Sequence, residues 1–478
     1  MAHSEPAPRV DDSWWSQPSG AREVLTLALP LALSTASWSV MHFIDRVFLM
    51  WHSEAAIAAA MPAGLLNFTV VCFWLGVATY VNTFVAQYYG AGRDERIGLA
   101  VWQGVWVGVI ALPLMLLTRP LSAWVFAQSG HAASLQQLEV TYYSVLTLGA
   151  GAFVISGALS AYFSGRGETR IVMFVNAGQA VLNIGLDYVW IFGKFGFPAW
   201  GIGGAAAATV VSEWVKVAVF LCLMFGSRDR VRFGVVQGLR FDEELFRRLF
   251  RYGAPNGIQM FVEMGAFSMF IMLVGQLGVR ELTATTLAFN INSLAFVPLL
   301  GLGVAVSVLV GQQLGANRPD LAARATRVSF VLALSYSLFM GALYVGAPGL
   351  FLYPYEAKAS SADFAPIRET TTVLLRFVAL YCLFDAMNLV FVSAIKGAGD
   401  MRFVLITTLI MSPIPVVVGW WGIHHAGWGL ISFWVLVTVW ICLLGVVYAG
   451  RYWQGKWRLM RVIEQAPISQ EAIISQVV

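Results

Sequence analysis

AQYYGAGRDE, residues 86–95, returns as GQQLGANRPD at 311–320. At this offset of 225, Gln87 meets Gln312, Gly90 meets Gly315, Ala91 meets Ala316 and Arg93 meets Arg318. Pro30 of LALPLAL meets Pro255 of YGAPNGI at the same offset. Farther on, SGRGETR at 164–170 meets KGAGDMR at 396–402, offset 232, so Gly165, Gly167, Glu168 and Arg170 face Gly397, Gly399, Asp400 and Arg402. An insertion in the 347–370 loop accounts for the change of offset. Each pair alone is short, and Gly-x-Gly or Gln-x-x-Gly could simply end a helix. Three pairs in matched order at nearly one spacing indicate a duplicated chain. The polar segment 224–253, MFGSRDRVRFGVVQGLRFDEELFRRLFRYG, divides the copies.

The surroundings of the repeat are apolar. The chain has 478 residues, 58% hydrophobic and only 12% charged, about half the charge of a soluble domain, and a mean hydropathy of +0.72. Apolar runs long enough to cross ~30 Å of hydrocarbon as helix recur from Val24 to Gly450. The alternating ~10-residue segments of a membrane β-barrel do not dominate. Twelve helices are expected, near 22–50, 54–90, 95–118, 136–163, 170–192, 200–226, 246–277, 282–314, 321–347, 370–396, 401–421 and 426–450. Six per half is an even number, so both halves enter from one side and the repeats are parallel. The expected fold is an all-α polytopic membrane protein of two pseudo-symmetric six-helix bundles. Its parts are a tail at 1–21, a bundle at 22–226, a linker at 227–245, a bundle at 246–450 and a tail at 451–478.

Charge sets the expected orientation. With the N-terminus cytoplasmic, 22 Lys and Arg fall on the inside, among them Arg9, seven arginines from Arg228 to Arg251, and Lys396. Five fall outside: Arg119, Lys194, Arg280, Lys358 and Arg368. Arg46, Lys216 and Arg376 lie within spans. The asymmetry places both termini in the cytoplasm. The first 20 residues hold no apolar h-region, so no cleavable signal peptide is expected, and a bacterial cytoplasmic (inner) membrane fits. Cys72, Cys222, Cys382 and Cys442 all fall in apolar spans and read as small core residues. There is no HExxH, GxSxG or GxxxxGK[ST], which argues against an intramembrane enzyme or an ATPase.

AQYYGAG, GRGETR, NIGLDYVWIFGKFGFPAWGIGGAAAAT, GQQLGAN and KGAGD resemble the multidrug and toxic compound extrusion (MATE) transporters, over nearly the whole chain from Pro30 to Gly450. The resemblance implies a cation-coupled secondary antiporter that exports amphipathic, usually cationic compounds by alternating access, and a monomer. H⁺ and Na⁺ both stay open as the coupling ion, and no other cofactor is expected. Small organic cations and the lipid bilayer are the expected partners; nucleic acid is not. A lipid-linked saccharide flippase shares the 6+6 plan and is the alternative. It would need Arg or Lys along its cavity for diphosphate, whereas the spans here carry more acids than bases.

Those acids are the candidate site. A mid-membrane carboxylate costs at least ~2.5 kcal/mol and must be paired, protonated, metal-bound or wet. Glu213 lies three residues before Lys216 and reads as a structural pair. Glu281 follows Arg280 in a loop and reads as solvated. Asp45 neighbours Arg46, but adjacent helical positions point about 100° apart; His42 shares its face instead. The resemblance gives Asp45, in FIDRVFL, a key role beside Asn183 and Asp187, one turn apart on the fifth helix, and Thr209 on the sixth could add a hydroxyl. Two carboxylates and an amide oxygen can share a proton or cradle Na⁺. In one branch of the family, acids of the seventh and tenth helices with a tyrosine bind the ion, and Glu263, Asp385 and Tyr381 match them. Arg376, nine residues before Asp385 and roughly 13 Å along the axis, is too far to neutralise it. Pro30 and Pro255 are candidate hinges. The chain thus carries two candidate ion sites that its duplication does not relate: Asp45 aligns with Phe270, Glu263 with Trp38, and Asp385 with Phe153.

Overall fold

The computed structural model describes residues 14–128, 130–356 and 361–464. Arg9, Lys358 and the tail residues 1–13 and 465–478 lie outside the described residues. Twelve long helices follow one another: α1 (Ala21–His52), α2 (Glu54–Gly90), α3 (Glu95–Leu116), α4 (Ala133–Ser164), α5 (Thr169–Phe192), α6 (Ile202–Gly226), α7 (Glu243–Leu277), α8 (Val279–Gly315), α9 (Pro319–Gly346), α10 (Ser361–Ala398), α11 (Met401–Ala426) and α12 (Leu430–Trp453). No strand occurs among the described residues. A short helix follows the third span of each half, at Arg119–Ala127 and at Pro348–Glu356, so the duplication extends to the minor elements.

Eleven of the twelve are long and apolar enough to cross a membrane. The exception is α5, whose length suffices but whose face carries Asn176, Gln179, Asn183 and Asp187. Local chemistry sets several ends. Asp242 caps α7 by accepting the Leu245 amide at 2.9 Å, and Gly193, at φ 65°, closes α5 in the left-handed region. α2 turns at Tyr80, and α11 breaks at Ser412, just before Pro413. Pro30 and Pro255 both sit inside helices that continue past them.

Two expectations need correction. Glu281 lies in the first turn of α8, not in a loop, because Gly278 (φ 140°) makes the turn between α7 and α8 in a single residue. Lys396, expected at the very end of the tenth span and counted among the inside charges, is not at the helix end. α10 carries it to within two residues of its end, half-buried, with Nζ donating to Asn256 Oδ1 at 3.0 Å.

The halves meet where α1 crosses α8 and, as its repeat mate, α2 crosses α7, and also where α2 and α8 cross each other. The repeated motifs explain themselves there. A Cβ on Gly90 would collide with the backbone of Gln312, and one on Gly315 with that of Gln87. Gln87 Nε2 donates to the Gly397 carbonyl at 2.9 Å, and Gln312 Nε2 donates to that of Gly165 at 2.8 Å. Each Gln-x-x-Gly therefore clamps its counterpart and reaches the Gly-x-Gly of the other half. Deeper in, Gly76 packs on Gly257 and its repeat mate Gly301 on Ala32. Small residues let helices approach closely where no hydrophobic force drives them together.

The Gln-x-x-Gly contacts lie at the end of the molecule that bears the arginine-carrying α2–α3, α6–α7 and α8–α9 connections, called here the basic end, and the Gly76 and Gly301 contacts continue inward from it. The linker packs at the basic end as well. Phe233 and Val235 are buried against α3, Trp102 Nε1 donates to the Val235 carbonyl at 2.9 Å, and the Gly98 amide donates to that of Phe233 at 2.8 Å.

Candidate functional site

In the first half, α1, α4, α5 and α6 converge on two carboxylates. Asp45 is 5% exposed, Asp187 0% and Asn183 1%. With the Asn183 amide turned so that its nitrogen and oxygen exchange places, the orientation that satisfies both neighbours, Nδ2 donates to Asp187 Oδ2 at 3.0 Å and Oδ1 accepts the Thr209 backbone amide at 3.2 Å. The Thr209 hydroxyl donates to Ala205 O of its own helix at 3.2 Å, so Thr209 meets the site through its backbone. Asp45 and Asp187 act on each other electrostatically, and the Tyr142 phenol of α4 lies within range of both. One oxygen of each carboxylate, Oδ1 in both cases, is buried without a hydrogen-bond partner. Buried polar atoms are rarely left so. A proton or a hard cation between the two would satisfy both.

The pair beside this site behaves differently. Glu213 and Lys216 are joined at 2.8 Å, and both are buried. Gln179 Nε2 and Ser156 Oγ donate to the same carboxylate at 3.2 and 3.3 Å. All its needs are met, as the sequence spacing implied.

In the second half the expected group divides. Tyr381 and Asp385 lie together on α10; the tyrosine ring is buried and its hydroxyl has no partner. Glu263 is elsewhere. It accepts from Gln259 Nε2 at 2.7 Å and feels the charge of Lys396. No hydrogen bond or ion pair among the described residues joins it to Asp385 or Tyr381, and none joins Asp385 to Arg376. Glu263 is the exposed head of a polar line down one face of α7, through Gln259 to Asn256. Asn256 Nδ2 donates to the Gly76 carbonyl of α2 at 2.7 Å, which ties this line to the other half. Asn256, Gln259 and Lys396 were missed from sequence, although the i, i+3, i+7 spacing of three polar residues in an apolar helix was a readable signal. Among the described residues no three His, Cys, Asp or Glu cluster, so neither site has the donors of a transition-metal centre.

Comparison with known proteins follows this geometry. The MatE family model matches residues 30–189 and 255–421, two segments that begin at the paired prolines. A probable multidrug resistance protein NorM of Bradyrhizobium diazoefficiens is 29% identical over 441 residues, covering 90% of this chain and 91% of its own. One from Burkholderia mallei is 30% identical over 421 residues, covering 87% and 88%. Among solved structures, the outward-facing conformation of a multidrug resistance MATE family transporter of the MOP superfamily superposes with a TM-score of 0.82. It is 18% identical and covers 92% of this chain and 96% of that one.

Proposed function

The chain belongs to the MatE family, the multidrug and toxic compound extrusion transporters, and from that premise we propose that it is a secondary antiporter exporting amphipathic organic cations in exchange for H⁺ or Na⁺. The observation that carries this reading is the pair of buried carboxylates, Asp45 and Asp187, each with an unpartnered oxygen beside Asn183. A structural carboxylate pair would be satisfied, as Glu213 is. These two are poised for a ligand that comes and goes.

In the proposed cycle the ion binds Asp45 and Asp187 from the open side. Neutralising them removes their repulsion, α1 and α5 repack, and a cationic cargo loses its electrostatic partner. Glu263 and Asp385 then act as cargo-facing or second-ion carboxylates. Pro30 lacks the amide that would tie that turn of α1 and gives the helix a place to bend. The positive-inside rule puts the basic end and both tails in the cytoplasm, so the closed basic end corresponds to an outward-open state. The flippase alternative has no basic cavity lining to support it.

The test is efflux of a fluorescent organic cation from proteoliposomes under a pH gradient or a Na⁺ gradient, each imposed alone. One gradient should drive efflux in the wild type. Asp45→Asn and Asp187→Asn should abolish it, and Glu263→Gln and Asp385→Asn show whether the second half is also needed. Undiminished efflux in both Asp45→Asn and Asp187→Asn sinks the proposal.

A further inference from the structure

Residues 454–464, which follow α12, fold back onto the molecule. The segment turns at Gly455 (φ 73°), makes one short helical turn at Lys456–Leu459, and runs back across the basic end. Trp457 anchors it, 2% exposed, stacked on Tyr452 at 4.9 Å between ring centres. The Val462 amide donates to Gln87 Oε1 at 2.8 Å. This is the same Gln87 whose amide nitrogen clamps Gly397, so the segment sits on the inter-half contact itself.

Glu464 follows, and four side chains converge on it. Tyr88 OH donates to Oε2 at 2.9 Å, Arg93 Nη2 to Oε1 at 2.5 Å, and Arg96 Nη2 to Oε1 at 3.1 Å. Arg93 Nη1 also donates to the Glu464 carbonyl at 3.0 Å, and Arg248 Nη1 pairs with Oε2. Tyr88, Arg93 and Arg96 belong to the first half. Arg248 lies in the first turns of α7 in the second half, and Glu464 extends from the second half's last helix. The side chains of Arg93, Arg96, Arg248 and Glu464 are all between 21 and 30% exposed, so solvent screens the contacts only in part.

We propose that Tyr88, Arg93, Arg96 and Arg248 form a carboxylate-binding site spanning the two halves, that Glu464 is its built-in ligand, and that segment 454–464 is a clasp holding the basic end shut. Charge-assisted bonds to a carboxylate are the strong kind. With Glu464 gone, three guanidiniums from opposite halves face one another, and among the described residues only the exposed Glu244, 2.8 Å from Arg248 Nη2, still pairs with one of them. Their repulsion then pushes the halves apart. The clasp releases when the basic end opens and re-forms when it closes.

This clasp is not worked by pH. Burial alone would raise the Glu464 carboxyl, but its own backbone amide, the Tyr88 hydroxyl and the Arg93 and Arg96 charges outweigh it and hold the group at about 2. A depressed carboxyl contributes stability fully above its unfolded value of 4.5 and loses it only as pH falls toward 2. Between pH 5.5 and 8.5 Glu464 stays ionised.

The experiment reads conformation rather than transport, so it stands apart from the antiport proposal. Spin labels go on Arg170→Cys and Arg402→Cys, exposed repeat-related positions in opposite halves, with the four native cysteines replaced. Distance distributions in nanodiscs are compared for the parent, Glu464→Gln, Arg248→Gln and, as a control whose charge change equals that of Arg248→Gln, Lys456→Gln. Glu464→Gln should raise the basic-end-open population roughly fivefold or more, Arg248→Gln should raise it less because its bond to Glu464 stays within the second half, and Lys456→Gln should leave it unchanged. An unchanged distribution in Glu464→Gln, or equal opening in Lys456→Gln, overturns the clasp. Arg96→Gln supplies the same reading should Glu464→Gln not be recovered folded.

Discussion

Two buried carboxylates on adjacent helices, Glu213 and Asp187, show how neighbouring acids acquire opposite jobs. Glu213 has Lys216, Gln179 and Ser156 around it; Asp187 has Asn183 and one bare oxygen. Removing one member of a buried pair strands the other's charge, at roughly 3–5 kcal/mol. Glu213→Ala should therefore lower the stability of the purified protein by about that much, read by denaturant titration in micelles. Glu213→Gln with Lys216→Met should recover most of it, and a double variant as unstable as the single would mean that the pair is not self-contained. In the proposed ion site Asn183 acts in another way, by orienting Asp187. Loss of such a supporting contact typically weakens ion affinity about 10–100-fold. Asn183→Leu should raise by that factor the coupling-ion concentration giving half-maximal efflux, with maximal efflux less affected. An unchanged ion dependence would take Asn183 out of the site.

At the scale of elements, the two Gln-x-x-Gly motifs are each other's binding partners. Because a Cβ at Gly90 or Gly315 would meet backbone rather than a flexible side chain, the crossing of α2 and α8 cannot tolerate either. Gly90→Val and Gly315→Val should each weaken basic-end closure, and by similar amounts because the pseudo-twofold axis makes their surroundings alike. The distance between labels at positions 170 and 402 checks this, and a large asymmetry between the two variants would deny the reciprocity. The repeat, the twelve helices and the Glu213–Lys216 pair were legible because each depends on local spacing or on matched strings. The partition of the second-half acids was not. Tyr381 and Asp385 share a helix face and their proximity could be read, but whether α7 turns Glu263 toward them or toward Lys396 depends on how two separately packed helices are rotated. Glu464 was illegible for a related reason: its partners lie more than 200 positions away in sequence, and nothing in a polar tail marks which acid will dock. The polar face of α5 is the converse case. Asn183 and Asp187, two of the four polar residues that lower its hydropathy, are the ones that build the candidate site.

For the whole molecule, three asymmetries coincide. Most of the arginines, the Gln-x-x-Gly contacts between the halves and the proposed clasp lie at one end, while Glu263, farther along α7, is exposed. A protein that alternates access must open one end at a time, and closure at the basic end leaves the cleft facing the other way. With the basic end cytoplasmic, the resting protein in a cell should admit water-borne reagents from outside as far as Glu263. In a background without native cysteines, a membrane-impermeant thiol reagent applied to intact cells should label Lys194→Cys, in the α5–α6 turn, and Glu263→Cys. It should spare Arg228→Cys until the membrane is permeabilised. Labelling of Arg228→Cys in intact cells would invert the orientation. Protection of Glu263→Cys with Lys194→Cys still labelled would mean that the cleft is sealed on the outer side too, and that an occluded state predominates at rest.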